Sequence, residues 1–524
     1  MYLRKCFIEN VGPIPKFDVE LDLDSLGNPK PVIMVGKNGT GKTIFLAYVL
    51  DALAELAKKK FSDIAIGQQM GFSPFLKLMS SGDTRSLSGS SLGFLEFSDA
   101  DSKFFYLEKV GDIDLPSYVM NLGGRFGLLL QEKEEDCKFV TGDEKQIETF
   151  FQTGAVCFFP SSRNERPHWL NVSAVEDLPV FSSDQRMSGV LGKPLIVERA
   201  AEDNRQWLMD ILFDSLVDVR LSSHTSDAIS QPQYDLPPNM EEKLSLRAGR
   251  ENVELLLRSV LEDENVEMIL NYRDAVGGRL SIKFGNGVIV PSFRHLSAGQ
   301  ALLFNLFATI IRYADRTDAR KSINLNEING IVLIDEIDAH LHTDLQDQVL
   351  PKLVKLFPKV QFIITSHAPL FLLGMEREFG ADGIQILEMP TGHKISTERF
   401  EEFQKSFEFY RQTQIFEDAV EKQVLATSKP LVLTEGQTDV AYIKKALELL
   451  GHIDILEQLE IDEVGKPGEK GAEGGGCTHL DTAGKFLKNN QNSFRRRVLL
   501  LYDCDTTTND ENVSGSSGLA VETV

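Results

Sequence analysis

Four acidic residues near the end of the chain have the spacing of a metal site. Glu435 and Asp439 follow one short apolar run, 431–434, whereas Asp503 and Asp505 follow another. Carboxylates at the ends of neighbouring buried strands repel one another unless a divalent cation that takes oxygen ligands lies between them. The pattern therefore predicts that these four acids bind Mg²⁺, or alternatively Mn²⁺, and that Glu435, Asp503 and Asp505 serve in catalysis.

A glycine-rich loop near the N-terminus has the composition of a phosphate-binding loop. The apolar run 31–35 precedes it, and residues 44–56 after it carry apolar side chains at helical spacing. In this context backbone N–H groups surround the phosphates of a nucleotide, a lysine reaches the terminal phosphates and a hydroxyl meets Mg²⁺. The pattern predicts an ATP site formed by Gly36, Asn38, Gly39, Gly41, Lys42 and Thr43.

Far downstream, an apolar strand at 330–334 ends in two acids, Asp335 and Glu336. Such a pair can be a simple strand end, but the P-loop earlier in the chain favours a catalytic role. We expect Asp335 to hold Mg²⁺ together with Thr43, and Glu336 to polarise the attacking water, because phosphoryl transfer needs both functions.

Two more segments narrow the class of protein. The segment 296–300, Leu-Ser-Ala-Gly-Gln, precedes a helical stretch at 301–313, and Thr365-Ser366-His367 follows the apolar strand 360–364. In this order the motifs resemble the ABC ATPase head of the SMC and DNA-repair kind. The resemblance assigns nucleotide contacts to the signature residues Ser297, Gly299 and Gln300 and the role of catalytic switch to His367.

The same resemblance implies assembly and leaves one position open. In that family the signature of one subunit completes the nucleotide site of another, so ATP should hold two heads of a homo-oligomer together. Asp338 fits the D-loop position that follows the two acids. For the conformational sensor called the Q-loop, two candidates remain open, Gln131 and the segment 158–163.

The stretch between the P-loop helix and the signature segment is far longer than a compact α/β connection needs. Part of it predicts antiparallel strands of the head, at 92–97 and 104–110. Two long segments with helical periodicity, 196–219 and 240–262, predict a helical insert at about 190–265. A dimerisation platform and a plain helical elaboration of the head fit equally, because an amphipathic pattern records burial without naming the partner.

Beyond the head, the four acids belong to alternating strands and helices. Strand-like runs at 431–434, 459–464 and 497–502 predict a small parallel sheet whose active edge gathers the acids. An acid followed by glycine after the first strand, with a later Asp-x-Asp, resembles the Toprim domain. An ABC head followed by Toprim resembles the OLD (overcoming lysogenization defect) family of nucleases, which includes Gabija-type and retron-associated anti-phage effectors.

The predicted fold class is therefore α/β, an ABC-type ATPase head followed by a Toprim domain. We place the head at 1–415, a linker at 416–428 and the Toprim domain at 429–524. Members of the family supply a lysine or arginine near the scissile phosphate after the Asp-x-Asp, whereas no Lys or Arg follows Asp505 here. We therefore expect a Toprim domain that is incomplete at its C-terminal end or degenerate.

Two functions fit these observations. The resemblance implies an ATP-regulated, Mg²⁺-dependent DNA endonuclease that acts in anti-phage defence. The alternative is an ATP-sensing scaffold that assembles a partner nucleoprotein and keeps the Toprim half for docking. The retron resemblance also allows a reverse transcriptase with its RNA–DNA product as a partner.

Composition limits the surroundings of the protein. The formal net charge of −23 disfavours a protein that coats nucleic acid, because phosphate binding normally uses a basic surface. Five cysteines without metal-ligand spacing and no apolar leader or membrane-length run predict a cytoplasmic protein without membrane contact. We interpret the basic cluster 495–497 as a solvated strand end rather than a phosphate clamp.

Overall fold

In the computed structural model, the protein consists of two compact units, Met1–Phe400 and Glu401–Val524. Each unit is described by itself. The residues that the structure describes are 1–64, 89–99, 102–111, 113, 137–161, 189–215, 220–222, 233–235, 240–271, 280–315, 324–397, 413, 415–465, 476–489, 496–502 and 519–523.

The first unit alternates strands and helices along the chain. Its described strands are β1 (Tyr2–Val11), β2 (Ile14–Glu20), β3 (Val32–Val35), β4 (Ser91–Ser98), β5 (Lys103–Val110), β6 (Cys137–Thr141), β7 (Ala155–Phe159), β8 (Arg220–Ser222), β9 (Gln233–Asp235), β10 (Glu267–Leu270), β11 (Leu280–Lys283), β12 (Ile289–Val290), β13 (Asn329–Ile334), β14 (Lys359–Thr365), β15 (Gln385–Glu388) and β16 (His393–Ile395). Its described α-helices are α1 (Lys42–Lys58), α2 (Glu144–Thr153), α3 (Ala200–Asp214), α4 (Met240–Leu261), α5 (Ala298–Ala314), α6 (Leu350–Lys355) and α7 (Pro369–Phe379).

A six-stranded sheet in the order β16-β15-β3-β14-β13-β7 forms the centre of this unit. The strands run parallel except for β16, which pairs antiparallel with β15. Their apolar residues are buried on both faces, as expected for a parallel sheet covered by other layers. The carboxyl ends of β3, β14 and β13 therefore lie side by side, and these ends carry the motifs predicted to bind ATP.

A five-stranded antiparallel sheet, β2-β1-β4-β5-β6, shares a core with α1 and one face of the central sheet. Helix α1 is buried along most of its length between the two sheets. For example, Phe45 contacts Phe17 of β2, and Tyr48 contacts Tyr106 of β5. Gly93 of β4 lies beneath Tyr48, and a Cβ added there would be 1.8 Å from the tyrosine hydroxyl oxygen. The strands predicted at 92–97 and 104–110 are confirmed as β4 and β5.

Two buried glutamines join the sheets, because each side-chain amide makes a pair of hydrogen bonds to the backbone, as a neighbouring strand would. The Oε1 atom of Gln361 in β14 accepts from the Leu3 N–H at 2.7 Å, and its Nε2 donates to the Leu3 carbonyl at 2.8 Å. Gln385 of β15 does the same with the Asp22 N–H at 2.7 Å and the Glu20 carbonyl at 3.2 Å. These amides satisfy backbone groups that the β-ladders do not pair.

Helices α3 and α4 belong to the core on the opposite face of the central sheet, together with α5. The fully buried Asn204 of α3 donates to the Asn305 carbonyl at 2.8 Å and to the Thr309 hydroxyl at 3.1 Å, both on α5. Trp207 extends this contact, since its Nε1 donates to the Asp315 carboxylate at 2.7 Å. Helices α3 and α4 therefore pack into the core of the first unit.

The second unit contains a small sheet and several helices. Its described strands and α-helices are β17 (Leu431–Thr434), β18 (Glu460–Glu463), β19 (Val498–Tyr502), β20 (Leu519–Thr523), α8 (Gln437–Leu449), α9 (Ile453–Gln458) and α10 (Cys477–Asn489). The strands form a parallel sheet in the order β18-β17-β19-β20. The core extends to both faces of this sheet, with α10 and a helical segment at 415–425 on one face and α8 on the other. The segment assigned to a linker contributes Phe416, Val420 and Val424 to this core.

Arg496 is part of this core, so its interpretation as a solvated residue was wrong. Its side chain is 4% exposed and donates to the carbonyls of Gln423, Val424 and Lys429. It also donates to the Thr427 hydroxyl at 2.8 Å and forms an ion pair with Glu460. The guanidinium is needed here because it satisfies carbonyls at the end of the segment 415–425. Arg497 is exposed, and Arg495 lies outside the described residues.

Candidate functional site

The P-loop connects β3 to α1 in the context that the sequence predicted. Gly41, the residue before α1, has a φ of 97°, and a Cβ there would lie 2.8 Å from the Cγ1 atom of Ile14. Only glycine meets both conditions without strain. Asn38 and Gly39 lie exposed on the loop, and Gly36 is half-buried where β3 ends. The loop therefore presents backbone groups ahead of the N-terminus of α1, where anions bind favourably.

Lys42 is the first residue of α1 and is 7% exposed. Its Nζ donates to the carbonyl oxygens of Gly36, at 2.8 Å, and Lys37, at 3.1 Å. Burial lowers the pKa of Lys42, whereas the nearby carboxylates of Asp335, Glu336 and Asp338 oppose that shift. An ammonium group enclosed by the loop and faced by acids matches the lysine that contacts nucleotide phosphates.

Thr43 and Asp335 meet although they are far apart in sequence. The Thr43 hydroxyl donates to the Oδ2 atom of Asp335 at 2.9 Å, and Oδ1 of the same carboxylate is 3.2 Å away. Asp335 is 1% exposed, because it directly follows β13, which lies between β14 and β7 in the central sheet. A hydroxyl and a carboxylate beside a P-loop lysine form the oxygen donor set that Mg²⁺ prefers, so these residues fit the predicted ion.

Thr365 joins the two acids and was not predicted as a site residue. Its hydroxyl donates to Oδ1 of Asp335 at 2.7 Å and accepts from the Glu336 N–H at 2.7 Å. The only sequence signal for it is a hydroxyl residue at the end of a buried strand, and many buried threonines satisfy that description. The structure brings it into place because β14 lies between β3 and β13.

His367, the predicted switch histidine, follows β14 after Ser366 and contacts Asp338, the predicted D-loop residue. His367 is exposed, and its backbone N–H donates to the carboxylate of Asp338 at 3.4 Å. Glu336, the second residue after β13, has a φ of 48°, in the left-handed region that few residues other than glycine adopt. The structure therefore gathers Lys42, Thr43, Asp335, Glu336 and His367 at the carboxyl edge of the central sheet.

The signature segment lies at the N-terminus of α5, which begins at Ala298 rather than at the predicted Ala301. The helix starts earlier because Ser297 caps it: the Gln300 N–H donates to the Ser297 hydroxyl oxygen at 3.3 Å, and the Ser297 N–H donates to the Gln300 side chain at 3.2 Å. Gly299 is buried against Leu345, whereas Ser297 is exposed. An exposed helix N-terminus with a serine cap can bind a phosphate.

One Q-loop candidate can be placed and the other cannot. The segment 158–163 begins in β7, and the Phe159 carbonyl accepts from the Asp335 N–H at 2.9 Å. This contact connects the described part of the segment to the acid that would hold Mg²⁺. Gln131 lies outside the described residues.

The acidic residues of the second unit are described only in part. Glu435 follows β17 and is half-buried, and its carbonyl accepts from the Gly476 N–H at 2.7 Å. Asp439 lies in the first turn of α8, where its Oδ2 atom accepts from the Gly436 N–H at 2.9 Å. Asp503 and Asp505 lie outside the described residues. Within the described part of the chain, no group of three His, Cys, Asp or Glu residues is arranged to hold a metal ion.

One further acid at the same edge was missed by the sequence analysis. Glu463 ends β18 and pairs in register with Thr434, the residue before Glu435. Strand β19 lies on the other side of β17, with Leu501 opposite Thr434. Strand β17, which Glu435 follows, and strand β19, which precedes Asp503 in the sequence, are thus neighbours, as the predicted sheet requires.

The central sheet and the residues at its edge define the class: this is an α/β protein with an ABC-type ATPase head. Strand β14 lies between β3, which leads into the P-loop, and β13, which leads into Asp335. The antiparallel sheet, helix α5 with the predicted signature segment and the segment that contains His367 complete the head.

Comparisons with known proteins find similarity over part of the chain. A family model described as "AAA domain, putative AbiEii toxin, Type IV TA system" matches residues 169–373. This stretch includes the signature segment, both acids of the head and His367, and it begins after the P-loop.

Three curated relatives are similar over short stretches. The chain is 42% identical to "Retron Ec83 probable ATPase" of Escherichia coli over 15% of this chain and 14% of that protein. It is 40% identical to "Retron Vc95 probable ATPase" of Vibrio cholerae over 18% of each. It is 53% identical to "Septu protein PtuA" of Bacillus mycoides over 9% of this chain and 7% of that protein. The matches thus span less than a fifth of each of these relatives.

Solved SMC heads are distant neighbours. The SmcHead bound to the C-winged helix domain of ScpA is 14% identical with a TM-score of 0.37, covering 77% of this chain and 100% of that chain. The SMC head domain from Thermotoga maritima is 12% identical with a TM-score of 0.34, covering 76% of this chain and 98% of that chain.

None of the helices among the described residues is both long and apolar enough to span a bilayer.

Proposed function

We propose that the first unit binds and hydrolyses ATP and that it acts in anti-phage defence, as the names of its retron and Septu relatives suggest. One observation carries the proposal of ATP hydrolysis. Thr43, Asp335, Thr365 and Glu336 form one hydrogen-bonded chain of groups beside the enclosed ammonium of Lys42.

Each residue has a role that follows from its place. Lys42 exchanges its bonds to the loop carbonyls for bonds to the terminal phosphates, which offset its burial. Thr43 and Asp335 would hold Mg²⁺, which supplies neutralisation of phosphate charge when bound. Glu336 orients and deprotonates the attacking water, and His367 contacts the terminal phosphate, as the resemblance to ABC heads implies.

The nucleotide site is tested by replacing its lysine. Lys42→Ala removes the charge that faces the phosphates, so the Kd for ATP should rise at least about tenfold, the effect of one lost charge-assisted hydrogen bond. Lys37→Ala is the matched control, because Lys37 is an exposed lysine of the same loop. Undiminished ATP affinity of Lys42→Ala, measured by titration calorimetry, would refute the site.

We further propose that the second unit is a Toprim-like, Mg²⁺-dependent DNA endonuclease controlled by the ATPase head, as in the OLD family. The support is the parallel sheet with Glu435 after β17 and Asp503 next in sequence after the adjacent β19. Asp439 and Asp505 complete the proposed ligand set, with Mn²⁺ as the alternative ion. Carboxylates gathered around a divalent ion can activate water and stabilise the leaving oxygen of a phosphodiester.

The nuclease proposal is tested at Asp503. Asp503→Ala should abolish DNA cleavage and leave the Kd for ATP unchanged, because the two proposed sites lie in separate units. Cleavage is measured on plasmid and linear DNA with Mg²⁺ or Mn²⁺. Unchanged DNA degradation by the variant would remove the nuclease assignment while leaving the ATPase proposal standing.

The second candidate is an ATP-sensing scaffold for a partner nucleoprotein, such as a reverse transcriptase with its RNA–DNA product. The observation that favours it is the use of Asp439 as a cap of α8, which engages one of its carboxylate oxygens. A cap stabilises a helix without any metal. Persistent inactivity on DNA in both ions, with the partner present, would favour the scaffold over the nuclease.

A further inference from the structure

Thr365 contacts both acids of the proposed hydrolysis site. It is the last residue of β14 and is fully buried. A threonine hydroxyl has one proton to donate and lone pairs to accept with, so it can serve two partners at once. Here it donates to Asp335 and accepts from the Glu336 N–H, both at 2.7 Å.

Thr365 also holds both peptide groups that flank Glu336. The Glu336 N–H donates to its hydroxyl, and the next N–H, that of Ile337, donates to its carbonyl at 3.2 Å. The backbone of Glu336 between them has a φ of 48°. A side chain other than glycine occupies this region only where surrounding contacts enforce it. The direction in which the Glu336 carboxylate leaves the backbone therefore depends on Thr365.

Asp335 is held at both carboxylate oxygens. Thr43 donates to Oδ2 at 2.9 Å and Thr365 donates to Oδ1 at 2.7 Å. The two hydroxyls lie on β14 and on the first turn of α1, so they fix the rotation of the carboxylate from two elements. The bond from Thr365 does not involve the P-loop and is independent of nucleotide contacts made there.

We propose that Thr365 is a positioning residue for ATP hydrolysis, which sets the orientation of Glu336 and Asp335 without touching the nucleotide. The inference rests on the proposed ATPase function. Reacting groups must be held within a fraction of an ångström, and a displacement of about 1 Å can cost a factor of about a hundred in rate. Loss of the Thr365 hydroxyl should therefore reduce turnover more than it reduces binding.

The experiment compares Thr365→Val, which removes the hydroxyl at similar size, with Thr365→Ser, which keeps it. In the full chain, the Val variant should lower kcat about ten- to a hundredfold, with KM within about threefold of the parent. The Ser variant should restore kcat to within about threefold. The Kd for ATP in EDTA should stay within about threefold in both variants, since Lys42 and the loop are untouched.

Thr309→Val is the matched control, because Thr309 is also fully buried and its hydroxyl bonds to Asn204 and Asn305 instead of the acids. It should keep the parent kcat. A Thr365→Val variant with parental kcat, a Ser variant as slow as the Val variant, or an equally slow Thr309→Val would each overturn the inference. If circular dichroism shows Thr365→Val unfolded, Thr365→Ala takes its place with the same expectation.

Glu336→Gln separates this inference from the function on which it rests. If Glu336→Gln keeps parental turnover, the proposed hydrolysis site is wrong. If Glu336→Gln stops turnover while Thr365→Val does not slow it, the site stands and only the positioning role of Thr365 falls.

Discussion

At the scale of single residues, Arg496 is an example of a charge that stabilises a core. The sequence places it in a basic cluster, where exposure is the usual outcome, and nothing local distinguishes it from Arg497. The structure buries Arg496 because the carbonyls at the end of 415–425 need donors, a requirement that appears only once the segment packs on the sheet. Thr365 was missed for the same reason, since its partners Asp335 and Glu336 follow another strand, β13.

Arg496→Met should destabilise the second unit by about 2–4 kcal/mol, because it leaves buried carbonyls and Glu460 without the guanidinium. The half-exposed Glu460 side chain places the estimate below that of a fully buried pair. Arg497→Met, at the exposed neighbour, should change stability by less than about 0.5 kcal/mol. Hydrogen exchange of peptides covering β17 and β18 measures both, and equal protection in the two variants would contradict the prediction.

The same pair predicts a pH dependence. The Thr427 hydroxyl, and then the Arg496 guanidinium, hold the pKa of Glu460 below its ordinary value of 4.5. A lowered pKa adds stability that is complete above the ordinary value and is lost as the pH falls through the lowered one. Exchange protection of β18 should therefore drop below pH 4.5 in the parent and less so in Arg496→Met.

At the scale of elements, the order of strands and helices follows from the sequence better than their packing does. Apolar runs ending in the P-loop, in Asp335 and in Ser366 identified β3, β13 and β14 and their shared edge, because each is a buried parallel strand with a polar end. Amphipathic periodicity identified α3 and α4 but not their partner. Their contact with α5 depends on Asn204 and Trp207, whose partners lie a hundred or so residues away.

Gln361 tests the joint between the antiparallel and central sheets. Gln361→Leu removes both bonds to the Leu3 backbone in a fully buried place, so the head should lose about 2–4 kcal/mol of stability. Gln146→Leu, at an exposed position of α2, is the control and should have little effect. Thermal unfolding followed by Trp fluorescence reports on this unit, and matching midpoints for the two variants would argue against the joint.

At the scale of the whole molecule, we propose that ATP joins two heads, as the resemblance to ABC heads implies, with the exposed Ser297 of one copy facing the P-loop of the other. In a Glu336→Gln background, where ATP should persist, we expect ATP-dependent dimers by light scattering. Adding Ser297→Arg places a bulky charge at the N-terminus of α5 and should return the protein to monomers. Asn324→Arg is the control, because it also replaces an exposed helix cap, and equal dimerisation with Ser297→Arg would count against pairing through the signature.

At the acidic edge of the second unit, the sequence predicts four metal ligands, and the structure describes two of them, Glu435 and Asp439. The parallel sheet of this unit and the neighbouring places of β17 and β19 were predicted from alternating apolar runs and are present. Asp503 and Asp505 lie outside the described residues. The cleavage assay on Asp503→Ala is therefore the test of the proposed nuclease.

The most direct measurement of the central claim is ATP turnover by the full chain with Glu336→Gln, with Glu264→Gln, an exposed acid, as the control. The account predicts that kcat falls by a factor of about a hundred or more, as loss of a general base does, while the Kd for ATP stays near the parent value. Parental turnover by Glu336→Gln, or a loss of turnover shared equally by Glu264→Gln, would contradict the assignment of this edge as the site of hydrolysis.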